Sequence, residues 1–311
     1  MKILICGTGS IAKRHYKNLI KLGYKDIIFY KSTRKQILIP KINKNQVYLN
    51  LDNALKERPK IAFICNVTSL HIDTAIKCVK KKCNIFLEKP ISNNLKNLNY
   101  FKKLVSKNKS KVFVGYMMRF HPLILKLKNM IDNKKIKNIF YINSVWGEYL
   151  PNWHRYENYE TSYASQKKLG GGAALTLSHE IDLMSFLFGD IQKVTTLKSY
   201  KSKLKLNTDF STTHLIRFKN EVDCSINVNF LNNPPYRKML ILSENYQIFF
   251  NYFKSELILI NNKNKKKIIK NKSFNRNDLF LNELKFFFKE LRKSKPNFNL
   301  ESSIKLMNFI S

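Results

Sequence analysis

Acidic side chains are scarce in this chain: 21 Asp and Glu stand against 57 Lys and Arg, a formal charge of +36 over 311 residues. Cysteine is scarcer still. The five cysteines, Cys6, Cys65, Cys78, Cys83 and Cys224, form no CxxC pair and have no histidine at zinc-ligand spacing. A zinc finger and a disulfide framework are thereby excluded, no metal is expected, and an odd number of thiols suits a reducing compartment such as the cytoplasm. No apolar run approaches the roughly 18 residues of a membrane span. The opening MKILICGTG reads as a strand running into a glycine turn and not as a signal peptide, so a protein without a membrane partner is expected. RNA-binding aromatic signatures, helix-turn-helix spacing and internal repeats are also missing. The lysines are scattered through helices and loops (KRHYKNLIKLGYKD, KCVKKKCN, NKNKKKIIKNK), which reads as a solvated surface rather than a specific nucleic-acid site. A polyanion-binding module is the alternative, recognisable by a steep salt dependence. In either case the charge favours an anionic substrate or cofactor.

With 44% hydrophobic and 13% aromatic residues, the chain has enough apolar matter for about two domains. From KILIC to KVFVGYM, short apolar runs alternate with helical patterns: IAKRHYKNLIKLG, DIIFY, DNALKER, KIAFICN, TSLHIDTAIKCVKKK, NIFLEKP and NNLKNLNYFKKLVSKN. Such alternation predicts parallel strands joined by right-handed crossovers, a doubly wound Rossmann-type sheet over residues 1–118. The rhythm then changes. After a helix (LILKLKNMIDN) come longer extended runs, among them IKNIFYINSVWGEY, HLIRFKNEVDCSINVNFL, RKMLILSEN, YQIFFNYF and SELILI, which predict a large, mostly antiparallel open sheet in an α+β domain over 119–311. The segment NNKNKKKIIKNK reads as a hairpin turn or sheet edge, and NDLFLNELKFFFKELRK as a core-facing helix.

The turn GTGSIA follows the first strand and opens the first helix, so Gly7, Gly9, Ser10, Ile11 and Ala12 are the expected cradle of a dinucleotide. Gly7 makes the turn, Gly9 admits a pyrophosphate, and the small Ala12 lets helix and strand pack. An NAD site ordinarily has an acid at the end of the second strand. Here the chain reads FYKSTRK, where Lys31, Ser32 and Arg34 suit a 2′-phosphate, which predicts NADP with NAD as the alternative. Asn66, Thr68 and His71 follow the strand KIAFICN and are expected to border the nicotinamide. Glu88 and Lys89 end the strand NIFLEKP, where strand ends face the ligand and a lysine can donate to a substrate oxygen.

The order GTGSIA, NVTSLHIDTA, EKPIS, GYMMRFHP and GGGAALTLSHEID resembles the Gfo/Idh/MocA family of glucose-fructose oxidoreductase, inositol dehydrogenase and related sugar dehydrogenases. The tract YLPNWHRYENYETSYASQKKLGGG is similar to a branch associated with surface-polysaccharide and amino-sugar biosynthesis. The resemblance implies a nicotinamide cofactor, a homo-oligomer formed through the second sheet, Lys89 as the lysine of the Glu-Lys-Pro motif, and His179 as the catalytic histidine. If ALTLSHEIDLMSFLF is one buried helix, Thr176, His179 and Asp182 share one side of it, and His179 can take a carbinol proton as hydride leaves. The three glycines before it are expected to let the chain approach cofactor or substrate. Many members of the family have an aspartate where this chain has Thr176. A threonine can bond a sugar hydroxyl but supplies no charge, and Asp182 is either its substitute or a helix anchor. Arg119, His121, Trp153, His154, Tyr156 and Tyr163 are expected to line the sugar site; Arg119 is also an expected cofactor contact, with a link between the domains as its alternative. The function expected is hydride transfer between a secondary alcohol and a ketone of a sugar, nucleotide-sugar or polyol. Alternatives are transient use of the cofactor for sugar elimination and dinucleotide binding without catalysis.

Overall fold

The computed structural model describes residues 1–32, 39, 44–153 and 157–311. Its first strand, β1 (Ile3–Cys6), is buried along its whole length, as expected of a parallel strand covered on both faces. Helix α1 (Ser10–Lys21) turns Ala12, His15, Asn18 and Leu19 inward at helical spacing. Then follow β2 (Ile27–Tyr30), the two-residue β3 (Val47–Tyr48), α2 (Leu51–Lys56), β4 (Ile61–Ile64), α3 (His71–Lys80), β5 (Asn84–Glu88), α4 (Leu98–Lys107) and β6 (Val112–Gly115). The strands form one parallel sheet in the order β3-β2-β1-β4-β5-β6. The order reverses between β1 and β4, which places Gly7 and Asn66 at the switch point where such sheets bind ligands. Strand β3 escapes sequence reading because two half-buried residues carry no periodicity.

The second unit contains α5 (Pro122–Asp132), β7 (Ile139–Gly147), α6 (Ala173–Thr176), α7 (His179–Phe188) and the strands β8 (Ile191–Ser199), β9 (Ser211–Phe218), β10 (Asp223–Asn229), β11 (Tyr236–Ser243), β12 (Tyr246–Asn251), β13 (Glu256–Asn261) and β14 (Lys266–Lys270). They form an eight-stranded sheet in the order β14-β13-β12-β11-β7-β10-β9-β8. Only the β7/β10 pair is parallel. Thr212, His214, Ile216 and Phe218 of β9 alternate inward, and α6 and α7 pack on β9 and β10. The opposite face exposes Tyr141, Leu197, Leu215 and Ile268. The lysine-rich segment is the edge strand β14. The other edge, β8, has no fully buried position, so its IQKVTTLKS has no strong apolar period to read.

Helix α8 (Arg276–Leu291) and helix α9 (Leu300–Ile310) close the chain. Residues Phe280–Phe309 group with Met1–Tyr116 in the first unit. The assignment of all of 119–311 to one domain differs from this arrangement, and aromatic packing is the reason. Phe287 meets Phe63, Phe86 and Phe113 with ring centroids 6.0, 5.4 and 6.0 Å away, and stacks on Phe298 at 5.6 Å. Asn299 completes the edge of β6: its amide accepts from Val114 N–H and donates to Val114 C=O, both at 2.8 Å. Asn299→Ala strands two buried backbone groups and is expected to cost about 1–3 kcal/mol. A lowered urea midpoint at unchanged m-value checks this, and an unmoved midpoint refutes it.

Candidate functional site

In the first unit the turn after β1 is tight for an internal reason. Gly7 has φ +115°, and a Cβ there would lie 2.6 Å from the Cys65 carbonyl oxygen. Gly9, by contrast, is the exposed N-cap of α1, with nothing within 4 Å of a would-be Cβ. Ser10 and Ile11 open the helix, Ala12 is fully buried under it, and its first turn carries no acid. The unobstructed N–H groups of a twelve-residue helix fit an anionic pyrophosphate. Beyond β2, Lys31 is half-buried and Ser32 exposed, while Arg34 lies outside the described residues.

The turn that carries Lys89 is held from both sides. Glu88 is buried with its carboxylate 2.6 Å from His15 Nε2. On the other side, His71 Nδ1 lies 2.8 Å from the carbonyl of Pro90, and its Nε2 lies 3.0 Å from the carbonyl of Asn66. Burial lowers the His71 pKa, while the two carbonyls raise it. A neutral ring donates to only one of them at a time. His71 therefore ties the turn after β4 to the turn after β5, and the side chain of Asn66 donates to Thr74 at 2.9 Å. Thr68 is buried beside them, Lys89 is half-buried, and the Lys89–Pro90 bond is cis. Sequence reading missed His15. Its signal was its place three residues after Ala12, on the buried side of α1.

In the second unit the expected single helix is two. Helix α6 stops at Thr176, Leu177 and Ser178 form a turn, and α7 begins at His179. Thr176, His179, Glu180 and Asp182 are all buried. The acids are accounted for by ion pairs: Arg119 donates to both oxygens of Asp182 at 2.9 and 2.6 Å, and Arg237 Nε donates to Glu180 at 2.5 Å. Burial raises the Asp182 pKa, and Arg119 opposes that shift. Asp182 thus anchors α7 to Arg119. The indole of Trp146 lies 5.9 Å from the His179 ring, centroid to centroid. The glycine run also serves the interior: a Cβ on Gly172 (φ +106°) would lie 2.1 Å from Asp209 Oδ1, and Asp209 accepts from the N–H of Ala174. Close approach to Asp209, which sequence reading missed, accounts for a glycine at this position.

Trp153 and Tyr163 line a small cavity with Leu150, Glu157, Tyr159 and Ser162, and Trp153 meets Phe230 edge-on at 5.4 Å. His154 and Tyr156 lie outside the described residues. His121 is the N-cap of α5, its Nδ1 accepting from Leu123 N–H at 3.2 Å. Among the described residues no group of three His, Cys, Asp or Glu could hold a metal, and no helix is long and apolar enough to cross a membrane.

Burial pushes the His121 pKa down to about 4, with Arg237 adding to the shift, and it does the same to His214, with Lys198 adding. An unfolded chain protonates such histidines near pH 6.5, so between about pH 6.5 and 4 the unfolded state binds more protons and stability falls. The urea midpoint is expected to drop from pH 7 to 4.5, and to drop less in His214→Gln. An equal drop in both proteins contradicts this assignment.

Residues 1–116 match the model of the oxidoreductase family with an NAD-binding Rossmann fold, and residues 124–250 match the GFO/IDH/MocA C-terminal domain. An oxidoreductase of Formosa agariphila is 26% identical over 202 residues, 64% of this chain and 62% of that protein. The myo-inositol 2-dehydrogenase of Thermotoga maritima is 29% identical over 143 residues, 44% and 42% of the respective chains. These matches span less than two thirds of either relative. The fold is shared with a levoglucosan dehydrogenase solved with NADH and levoglucosan (TM-score 0.84, 16% identity, 99% and 94% of the two chains). It is shared also with the WlbA dehydrogenase of Bordetella pertussis, solved with NADH and UDP-GlcNAcA (TM-score 0.79, 16% identity, 100% and 95%). With both of its halves matched in order, by a dinucleotide-binding model and by the C-terminal model that accompanies it, the chain belongs to the GFO/IDH/MocA family of oxidoreductases.

Proposed function

We propose that this protein is an NADP-preferring dehydrogenase or reductase that interconverts a secondary alcohol and a ketone on a sugar, nucleotide-sugar or polyol. The observation that carries the reading is the Lys89 turn, braced by His15 through Glu88 and by His71 through the Pro90 carbonyl, at the carboxyl end of β5. Gly9, Ser10 and Ile11 hold the pyrophosphate at the start of α1, and Lys31, Ser32 and Arg34 receive the 2′-phosphate. The nicotinamide, when bound, supplies the hydride acceptor or donor. Lys89 donates a hydrogen bond to the reacting oxygen, and His179 takes or returns its proton. Thr176, Trp153 and Tyr163 contact the sugar, the first unit forming the cofactor domain and the second contributing the substrate residues. The exposed face of the second sheet joins protomers, and the setting is cytoplasmic amino-sugar or polysaccharide synthesis. The dehydrogenase reading follows the structural neighbours solved with NADH and a sugar or nucleotide-sugar, while the preference for NADP rests on the run FYKSTRK.

The test is a fluorescence titration of the purified protein with NADPH and NADH, followed by turnover with levoglucosan, myo-inositol and UDP-linked N-acetylated hexoses. NADPH is expected to bind the more tightly, and one of the sugar classes to be oxidised. Binding of neither dinucleotide ends the reading.

A further inference from the structure

The residue after His179 is gripped by two strands. Arg237 Nε of β11 donates to Glu180 Oε1 at 2.5 Å, and Ser144 Oγ of β7 donates to Glu180 Oε2 at 2.9 Å. Arg237 and Trp146 are cross-strand partners, and the guanidinium carbon lies 4.0 Å from the centroid of the indole. That indole is in turn the neighbour of His179, with centroids 5.9 Å apart and planes tilted by 41°. All five side chains are buried. A buried ion pair contributes little net stability over a well-packed apolar substitute, so stability alone does not account for one here. A fixed geometry does. His179 is the first residue of α7, directly after the turn at Leu177 and Ser178. A group that exchanges a proton with a hydroxyl must sit within hydrogen-bond reach of it.

We infer that Trp146, held flat by Arg237 and Glu180, is a positioning residue that sets the plane of the His179 imidazole. The inference rests on the reading of His179 as proton carrier. Trp146 itself touches no reacting atom; it acts through the ring it packs against. The signal in the sequence is slight, a tryptophan near the end of a strand and an arginine on an otherwise apolar one, because only strand pairing brings them together.

The experiment uses the full chain with ¹³C-labelled histidine, the His179 resonances being identified from their loss in His179→Ala. In Trp146→Leu the His179 ring signals are expected to move while those of His15 and His71, in the other unit, stay in place. With a sugar that the panel shows to be turned over, kcat is expected to fall by about 10- to 100-fold, the range for small misplacements of a reacting group, with NADPH affinity unchanged. Trp146→Phe, which keeps an aromatic ring, is expected to restore most of the rate. Should Trp146→Leu fail to fold, Arg237→Lys tests the same point: it retains a charge for Glu180, loses the guanidinium plane over the indole, and is expected to move the same His179 signals. Unmoved His179 signals in the folded variants overturn the inference without any substrate. A wild-type kcat in Trp146→Leu alongside an inactive His179→Ala overturns it while leaving the function reading intact. A fully active His179→Ala removes His179 as the proton carrier, and this inference with it.

Discussion

His179→Asn is expected to slow hydride transfer by about 10²–10⁴-fold, the usual contribution of a positioned acid-base group, without weakening dinucleotide binding. Asparagine retains hydrogen-bonding capacity and approximate size but cannot take a proton near neutral pH, so the packing against Trp146 is largely preserved while the proton acceptor is lost. Lys89→Met is expected to give a loss of the same order by removing the donor to the reacting oxygen, and Glu88 and Pro90 keep their partners in His15 and His71. Single-turnover rates with bound NADPH, compared with NADPH affinity from fluorescence, separate chemistry from binding. A His179→Asn enzyme with an unchanged single-turnover rate would remove His179 as the proton carrier, whereas NADPH binding with no turnover in the unaltered protein would leave dinucleotide binding without this chemistry.

The largest expected effect on stability is at Arg237. Arg237→Met leaves the Glu180 carboxylate buried with Ser144 as its donor among the described residues, and removing one partner of a buried pair costs about 3–5 kcal/mol. The triple change Arg237→Met, Glu180→Leu and Ser144→Ala removes charge and hydroxyl together and is expected to recover most of that loss, because the penalty comes from the orphaned charge. Urea unfolding of the three proteins decides it. A triple variant no more stable than Arg237→Met would show that the side chains hold the fold by shape and not by charge. The same reasoning applies to Arg119→Met, which abandons the fully buried Asp182.

Much of this fold could be read from local order. The alternation from KILIC to KVFVGYM predicts a doubly wound sheet because each strand is buried on both faces and each helix on one, and the strands appear as β1, β2, β4, β5 and β6. Of the elements that went unread, β3 is two residues long and β8 is an edge strand with no fully buried position, whereas α9 buries Ser303, Leu306, Met307 and Ile310 at helical spacing and was legible. The site divides the same way. Gly7, Gly9 and Lys89 stand out because turn geometry and strand ends are local properties. His15, Asp209, Trp146 and Arg237 do not, because each acquires its role from a partner distant in the chain.

By itself the amino-acid sequence determined the two kinds of sheet, the glycine turn that opens α1, and the family. All three follow from residue order and spacing over short stretches. Only the tertiary structure decided that Phe280–Phe309 belong with the first unit and that Gly172 accommodates Asp209. It also decided that the two acids beside His179 are bound to arginines. The physical reason is that a buried charge needs an opposite charge, and an aromatic face a neighbouring face, wherever along the chain these reside; folding, and not sequence neighbourhood, brings such pairs together.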